Sequence, residues 1–387
     1  MRSCAVICEY NPFHNGHAYL ISELRSRGYD TIVAIMSGNL VQRGDIAVCS
    51  KFARAKCALY GGADAVIELP SVYAMSHAKR FAAAGVYLAK ALGCDSIGFG
   101  SECGDISRLE AIAEGLDSPE LDKKIKELSK SGLSYAVARQ TAYEELFGEC
   151  PELKNPNDLL AIEYITAAKV LGFENFECIK RIGAAHDNEE MPSDRYASAS
   201  MIRGFMEKGD IAAASKYMPA QSALVLSEQY RRGLVTKTEK LNSAVLAKLR
   251  TLSPSEISKI PSATDGLDFR IYAAIKKATT LDELLALAKS KRHTMARIKR
   301  ILLSAYFGIS EDSVPELPPY IRVLGMNSRG EAFLRTVKSD IPLVMRATEL
   351  KGDPLFELEC RITDVFVLSF DSPLPCGSEM TSGIVKI

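Results

Sequence analysis

Along the first hundred residues, short runs of β-branched and apolar residues alternate with longer segments in which apolar positions recur every three to four residues. The first pattern is typical of buried strands, and the second is typical of helices with one apolar face. Regular alternation of the two predicts a parallel sheet covered by helices. The predicted strands cover residues 3–8, 31–36, 63–69 and 96–99, and the predicted helices cover 16–25, 51–60 and 76–92.

The same alternation continues to about residue 204. Charged helical periodicity covers 109–146, a further helix begins near Pro156 and ends at residue 171, and a strand follows at 176–182. Right-handed crossovers place the carboxyl ends of parallel strands at one edge of the sheet, where α/β proteins bind ligands. Residues 1–204 are therefore predicted to form one Rossmann-like domain with its ligands at that edge.

Beyond residue 204 the pattern changes. Residues 205–314 are dominated by helical periodicity and predict a helical domain, whereas a proline-rich stretch at 315–319 opens a small mixed segment, 315–387. That segment has predicted strands at 321–324 and 342–346 and a predicted helix at 331–338. The predicted fold class is therefore α/β: a Rossmann-like parallel-sheet domain, then a helical domain, then a small α/β C-terminal module.

Composition limits the classes of function. The chain has 48 Lys and Arg against 48 Asp and Glu, so its net charge gives no argument for a nucleic-acid partner. No apolar run approaches the roughly 18 to 20 residues that span a bilayer, and Met1-Arg2-Ser3 leads directly into a strand. The ten cysteines include no Cys-x-x-Cys pair, which predicts reduced thiols. We expect a cytoplasmic protein that does not bind membranes.

The most informative motif follows the first predicted strand. His14-Asn15-Gly16-His17 lies where that strand passes into a helix, and a helix N-terminus presents unpaired N–H groups and the positive end of a dipole. Two imidazoles at this position can donate hydrogen bonds to phosphate oxygens. Two other interpretations stay open: histidines that bond only to turn carbonyls, and a zinc site shared with Cys4 and Cys8.

Loops after the other predicted strands carry further polar groups at the same sheet edge. The loop that contains Gln42-Arg43-Gly44, with Lys51 and Arg54 at the start of the next helix, suits a triphosphate or a carboxylate. Glycines at a strand end let a nucleotide approach the backbone. Solvated loops and ordinary helix caps are the alternatives for these segments. The remaining candidates at this edge are Gly100, Asn157, Arg181, Ser200 and Arg203.

A basic segment lies far from these motifs along the chain. Residues 284–310 contain no acidic residue, and apolar positions at helical spacing leave the basic side chains to project outward. Such a segment suits contacts with the phosphate backbone of RNA, although a solvated basic helix has the same pattern. Its candidate cations are Lys289, Lys291, Arg292, Arg297, Lys299 and Arg300.

In their order along the chain, these motifs resemble those of one family. The long stretch from Glu9 to His17 is specific, and the later motifs are individually weak. These later motifs are Met36-Ser37-Gly38-Asn39, Gln42-Arg43-Gly44, Glu68-Leu69-Pro70, Phe99-Gly100-Ser101-Glu102, Pro156-Asn157-Asp158 and Arg181-Ile182-Gly183. The pattern is similar to that of the bacterial tRNA(Met) cytidine acetate ligases, a branch of the His-x-Gly-His nucleotidyltransferases. The resemblance covers residues 1–203 and resumes at 292–303.

The resemblance implies a two-step reaction. Acetate attacks the α-phosphorus of ATP to give acetyl-adenylate and pyrophosphate, and the wobble cytidine of elongator tRNA(Met) then takes the acetyl group, releasing AMP. Mg²⁺ is expected on the pyrophosphate without a dedicated protein site. The basic segment and the C-terminal module would hold the tRNA. His14 and His17 would be catalytic, while Lys51, Arg54, Ser200 and Arg203 are additional candidates for phosphate or acetate. The implied ATP-binding residues are Ile7, Cys8, Glu9, Tyr10, Asn11, Pro12, Phe13, His14, Asn15, Gly16, His17, Ala18, Tyr19, Leu20, Gly100, Asn157 and Arg181.

Two other functions share parts of this pattern. A small-molecule adenylyltransferase of cofactor biosynthesis has the histidine motif, but this function leaves the basic segment without a role. A non-catalytic nucleotide-binding RNA adaptor would keep the fold without needing the intact pair His14 and His17. Formation of AMP that depends on both acetate and tRNA separates the three hypotheses.

Overall fold

The centre of the fold is a mostly parallel sheet. A computed structural model of the chain describes residues 1–182 and 195–387. Its strands are β1 (Ser3–Cys8), β2 (Thr31–Ser37), β3 (Leu40–Val41), β4 (Asp45–Ile46), β5 (Ala65–Leu69), β6 (Ser96–Ser101), β7 (Phe176–Lys180), β8 (Ile321–Met326), β9 (Leu343–Val344) and β10 (Val385–Lys386). Eight of the strands in these residues form one sheet in the order β10-β8-β5-β2-β1-β6-β7, with β9 paired to β8; β3 and β4 form an antiparallel hairpin.

The sheet is buried on both faces because its central strands are apolar throughout. Side chains alternate along a strand, so Cys4 and Val6 of β1 belong to one core while Ala5 and Ile7 belong to the other. All four are at most 8% exposed. β1 pairs in parallel with β2 and β6, which pair in parallel with β5 and β7 respectively. The predicted parallel α/β sheet is confirmed, and the carboxyl ends of these strands share one edge.

Helices cover both faces of the sheet. In the described residues they are α1 (Asn15–Ser26), α2 (Lys51–Tyr60), α3 (Ser71–Ala74), α4 (Ala78–Ala91), α5 (Ile106–Leu116), α6 (Pro119–Lys130), α7 (Tyr135–Phe147), α8 (Pro156–Leu171), α9 (Ala199–Glu207), α10 (Ile211–Ser215), α11 (Ala220–Arg231), α12 (Glu239–Arg250), α13 (Pro254–Ser258), α14 (Leu267–Lys277), α15 (Leu281–Ala288), α16 (Met295–Phe307), α17 (Ser328–Leu334), α18 (Pro354–Phe366) and α19 (Ser378–Thr381). Helices α1 and α2 share the core of Cys4 and Val6, and α4 and α8 share the core of Ala5 and Ile7. None of the described helices is long and apolar enough to cross a bilayer.

Two helices begin at residues that differ from the predicted ones, because a capping side chain sets where each helix starts. The helix predicted at 76–92 is α4, which begins after His77, whose side chain accepts a hydrogen bond from the backbone N–H of Arg80. The helix predicted at 331–338 is α17, which begins after Asn327, whose side chain accepts a hydrogen bond from a backbone N–H at 3.0 Å. A capping side chain satisfies one of the unpaired N–H groups of the first turn.

The C-terminal segment 315–387 contributes its strands to the central sheet. β8 runs antiparallel to β5 and is followed in the same sheet by β9 and β10. The N–H of Asn327 also donates to the carbonyl of Asp64 at 2.9 Å. Without β8, the outer edge of β5 would present unpaired backbone groups. β8, which is buried along its whole length, pairs with these groups and completes the sheet. The domain boundaries at residues 204 and 314 stay predictions.

Candidate active site

A cleft opens at the carboxyl edge of the sheet, beside the end of β1. Its volume is about 370 Å³, and its walls come from β1, β6, β7, the β3–β4 hairpin and parts of α1, α4, α8 and α9. The chain leaves β1 through a turn that contains Tyr10 at φ +46° and a cis Asn11–Pro12 peptide bond, and it then enters α1. The edge predicted from the topology is therefore where the histidine motif lies.

The two motif histidines stack on each other at the N-terminus of α1. Their ring centroids are 3.7 Å apart, with 20° between the ring planes. Nδ1 of His14 accepts a hydrogen bond from the N–H of Gly16 at 3.1 Å, and Nδ1 of His17 accepts one from the N–H of His14 at 3.2 Å. An imidazole that accepts at Nδ1 carries its proton on Nε2. Each ring therefore offers an Nε2–H donor, as a phosphate-binding role requires.

Acid should destabilise the fold through His17. Burial, the neighbouring His14 and Arg181 lower the pKa of His17 well below its ordinary value. The unfolded chain then binds a proton that the folded chain excludes, so the free energy of unfolding falls as the pH drops below about 6.5. This group alone contributes a loss of up to about 1.4 kcal/mol over the first pH unit below that value. We expect His17→Asn to reduce this pH dependence in urea unfolding; an unchanged dependence would contradict the lowered pKa.

Aromatic packing holds the motif in place. The ring of Tyr10 lies 4.8 Å from that of His17, and the ring of Phe13 lies 5.5 Å from it. A Cβ atom at Gly61 would lie 2.2 Å from the Phe13 ring, so glycine makes room for this packing.

Most of the ATP-binding residues predicted in the segment from Ile7 to Leu20 line the cleft. Those that line it are Ile7, Cys8, Glu9, Tyr10, Asn11, His14, Gly16, His17, Tyr19 and Leu20. The predicted residues of this segment that do not line it are Pro12, Phe13, Asn15 and Ala18.

A second wall brings together Gly100, Asn157 and Arg181, as the sequence predicted. The side-chain nitrogen of Asn157 donates to Glu102 Oε1 at 2.5 Å, and its Oδ1 accepts from Arg181 at 3.4 Å. A Cβ atom at Gly100 would lie 3.3 Å from Cγ of Arg181. Burial lowers the pKa of the Arg181 guanidinium, which means that an anion beside it would be stabilising. Gly183, the last residue of this motif, lies outside the described residues.

Helix α9 contributes the predicted pair Ser200 and Arg203 to the cleft. Arg203 donates to the carbonyl of Asn11 at 2.7 Å and to the hydroxyl of Ser200 at 3.3 Å. The helix begins after Ser198, whose hydroxyl accepts from a backbone N–H at 3.2 Å. Both predicted residues line the cleft. The structure thus brings them to the histidine turn, and their contact with phosphate or acetate stays a prediction.

Lys51 and Arg54 lie behind the cleft rather than in it. Lys51 is 0% exposed, and its Nζ contacts Glu68 at 2.5 Å and Glu379 at 2.7 Å. Arg54 is 1% exposed and donates to the carbonyl of Glu9 at 2.6 Å. Because protein groups already pair with both cations, the structure does not support their predicted contact with phosphate or acetate. The sequence showed two basic residues at a helix start but not the buried groups that surround them.

The basic segment divides into a paired group and an exposed group. Arg297 pairs with Asp265 at 3.0 Å, and Lys299 pairs with Asp45 at 2.8 Å. Arg300 donates to a carbonyl just after β3 at 2.9 Å. These three cations hold α16 against neighbouring parts of the protein, including the β3–β4 hairpin. The prediction that they project outward is corrected accordingly.

The other three predicted RNA contacts are exposed. Lys289, Lys291 and Arg292 are all exposed to solvent and precede α16 instead of lying within it. The helix begins only after Thr294, whose hydroxyl accepts from the N–H of Arg297 at 3.3 Å. The exposed cations therefore lie on a non-helical segment at the start of α16.

The aromatic part of the cleft could not be predicted from the sequence. Phe81, Tyr164 and Tyr196 line it, although in the sequence they have no motif that sets them apart from core residues. The zinc alternative has no support, since Cys4 is fully buried in the core and Cys8 donates to a strand carbonyl at 3.6 Å. Among the residues that the structure describes, no group of His, Cys, Asp and Glu side chains could hold a metal ion.

Comparison with known proteins gives matches over nearly the whole chain. The family described as HIGH Nucleotidyl Transferase matches residues 1–376. A tRNA(Met) cytidine acetate ligase of Thermoanaerobacter sp. (strain X514) is 35% identical over 99% of both chains. The tRNA(Met) cytidine acetate ligase of Bacillus subtilis (strain 168) is 33% identical over 97% of this chain and 94% of its own.

Solved structures agree with these sequence matches. The crystal structure of Thermotoga maritima TmcAL bound with alpha-thio ATP has a TM-score of 0.92 and 30% sequence identity, with 100% of both chains covered. Its apo form has a TM-score of 0.93 over the same coverage. The chain therefore belongs to the HIGH nucleotidyl transferases and, among them, to the family of the tRNA(Met) cytidine acetate ligases.

Proposed function

We propose that this chain is an ATP-dependent ligase that forms N4-acetylcytidine at the wobble position of elongator tRNA(Met). A carboxylate oxygen of acetate attacks the α-phosphorus of ATP, the bond to the β-phosphate breaks, and pyrophosphate leaves with the electron pair. The amine of the cytidine then attacks the acetyl carbonyl, AMP leaves, and the amine loses one proton. The observation that carries the proposal is the stacked pair His14 and His17 in the cleft of a chain of this family.

The cleft residues suit the first step. The Nε2–H groups of His14 and His17 donate to phosphate oxygens whose negative charge grows as pyrophosphate leaves. The positive end of α1 acts in the same direction. Asn157 and Arg181 hold the nucleotide on the second wall, where Gly100 leaves the backbone accessible. Because adenylation itself supplies a good leaving group, positioning is the main contribution of the protein and no protein nucleophile is needed.

Mg²⁺ enters this proposal as an ion carried by the phosphates of ATP. Mg²⁺ usually keeps several water ligands and binds to substrate phosphates instead of a site formed entirely by protein groups. In the described ranges no cluster of carboxylates, histidines and cysteines marks a metal site. The further substrates are acetate and the tRNA, and the proposed place of the reaction is the cytoplasm.

The test is whether AMP formation depends on both acetate and tRNA. Purified protein with ATP should form AMP over many turnovers only when acetate and tRNA are both present. Nucleotidyl transfer to a small acceptor without RNA would favour an adenylyltransferase of cofactor biosynthesis. Binding of ATP and tRNA without AMP formation would favour a non-catalytic adaptor.

Removing the exposed cations of the basic segment should weaken tRNA binding. We expect Lys291→Ala combined with Arg292→Ala to lower tRNA affinity and to reduce the slope of log K against log salt by about 2, because each phosphate contact contributes about 1. A salt titration of tRNA binding measures this slope. The matched control removes the exposed Lys123 and Lys126 of α6, which lowers the net charge equally. An equal loss in both double variants would contradict a specific role of the segment.

A further inference from the structure

The cleft has an apolar part to which the proposed reaction assigns no substrate group. Val41, Phe81, Phe99 and Tyr164 line it, and each is at most 5% exposed, which places them at its floor. They come from four separate elements, β3, α4, β6 and α8. Phosphate and ribose groups gain nothing from such a surface, whereas an alkyl or aromatic group does.

The packing of α4 places this floor beside the end of β1. A Cβ atom at Gly85 would lie 2.7 Å from the side chain of Ile7, so this face of α4 lies directly on β1. Phe81 precedes Gly85 by one helical turn and therefore shares that face. The rings of Phe99 and Tyr164 lie 6.1 Å apart. The apolar floor is thus a rigid wall close to where the chain leaves β1 for the histidine turn.

Gln42 adds a polar donor to the lining next to Val41. Its backbone N–H donates to Glu9 Oε1 at 2.8 Å, and its carbonyl accepts from Arg300 at 2.9 Å, so the backbone is held from two sides. The side-chain Nε2 is buried, and it has no hydrogen-bond partner in residues 1–182 and 195–387. A buried donor without an acceptor is unfavourable, so a rotation of this side chain that brings Nε2 to a ligand oxygen in the cleft would be stabilising.

The electrostatics around Gln42 favour an anion. The first turn of α4 contributes Ala78 to the lining and directs the positive end of its dipole toward the cleft. Glu9 lies nearby, but burial raises the pKa of its carboxyl, and the guanidinium groups of Arg203 and Arg54 act on it. An anionic head group with a short apolar tail is the ligand chemistry that fits the donor, the helix end and the floor together.

We propose that Gln42 and Phe81 form the subsite for the carboxylate substrate. The side chain of Gln42 turns so that its Nε2 donates to one carboxylate oxygen, and the methyl group lies on the floor formed by Val41, Phe81, Phe99 and Tyr164. The floor thereby restricts the substrate to short-chain carboxylates. This inference rests on the proposed function, since it assigns the carboxylate of that same reaction.

The test measures AMP formation with tRNA and with acetate, propionate or butyrate as the carboxylate. Phe81→Ala should raise kcat/KM for butyrate relative to acetate by about 10-fold or more, because the chain-length limit is removed. Phe81→Leu keeps more of the packing and should shift the preference in the same direction by less. Gln42→Leu should raise KM for acetate by about 10-fold and leave KM for ATP unchanged. The control Phe269→Ala, at a side chain that is 72% exposed, should keep the wild-type profile.

The results of the variants test the subsite, and the result with the wild-type protein tests the proposed function. If both Phe81 variants keep the wild-type preference, or if Gln42→Leu leaves KM for acetate unchanged, the subsite assignment is overturned. A raised KM for ATP instead would mean that this surface binds the adenine. If the wild-type protein forms no AMP with acetate and tRNA, the proposed function itself fails, and that result is visible without any variant.

Discussion

Replacing His14 by asparagine is expected to lower the rate of AMP formation by a factor of about 10² to 10³ while the protein stays folded. The substitution removes the Nε2–H that would stabilise charge on the phosphates. Asparagine is a good N-cap residue, so it can still accept the hydrogen bond that His14 accepts from Gly16 at the start of α1. Initial rates at saturating ATP, acetate and tRNA, together with thermal unfolding midpoints, measure the two effects separately.

His77 provides a matched control for the His14 substitution. It is a second histidine whose side chain caps a helix, and it is exposed at the start of α4. His77→Asn should leave the rate of AMP formation little changed, because His77 does not line the cleft and asparagine can keep the helix cap. Near-wild-type activity of His14→Asn would contradict the catalytic role of His14. Equal losses in both variants would mean that helix capping accounts for the effect.

Replacing Lys51 by methionine is expected to lower the free energy of unfolding by about 3 to 5 kcal/mol, because it leaves a buried charge without its partner. Burial and the neighbouring Glu68 raise the pKa of Glu359 to about 8, so this carboxyl is mostly neutral at pH 7. Lys51 and Arg322 then balance Glu68 and Glu379, all of which are buried. Urea unfolding at neutral pH measures the loss.

A lysine at the protein surface serves as the control for this substitution. Lys124 pairs with Glu145 at 2.8 Å on the surface, where solvent screens the interaction, so Lys124→Met should leave the unfolding midpoint unchanged. A stable Lys51→Met protein with a raised KM for ATP or acetate would restore the ligand-binding role that the sequence suggested for Lys51. A strongly destabilised protein supports the structural role.

Short-range patterns were sufficient for the parts of the molecule that depend on local sequence. The apolar run at residues 3–8 is β1, and the helices predicted at 51–60 and 156–171 are α2 and α8 with the same bounds. His14 and His17 are brought together because they lie within one turn of the chain, between a strand and a helix N-terminus. The topology of parallel strands then predicted which edge holds the cleft.

Partners that are distant in sequence could not be predicted in this way. The sequence around a lysine at a helix start does not show whether that lysine binds a phosphate or a carboxylate of the protein. Lys51 binds the carboxylate of Glu379, which lies near the other end of the chain. The ion pair of Arg297 with Asp265 likewise could not be predicted, because the two residues are 32 positions apart in the sequence. The pairing of β8 with β5 depends on which strand edge remains uncovered, and periodicity carries no information on that.

Nucleoside mass spectrometry shows whether the protein transfers an acetyl group to RNA. The protein is incubated with ATP, isotope-labelled acetate and elongator tRNA(Met), and the RNA is then digested to nucleosides. We expect labelled N4-acetylcytidine at the wobble position, formed together with AMP and absent when ATP or acetate is left out. Unlabelled cytidine in an RNA that the protein binds, or label found only in a small-molecule product, would contradict it.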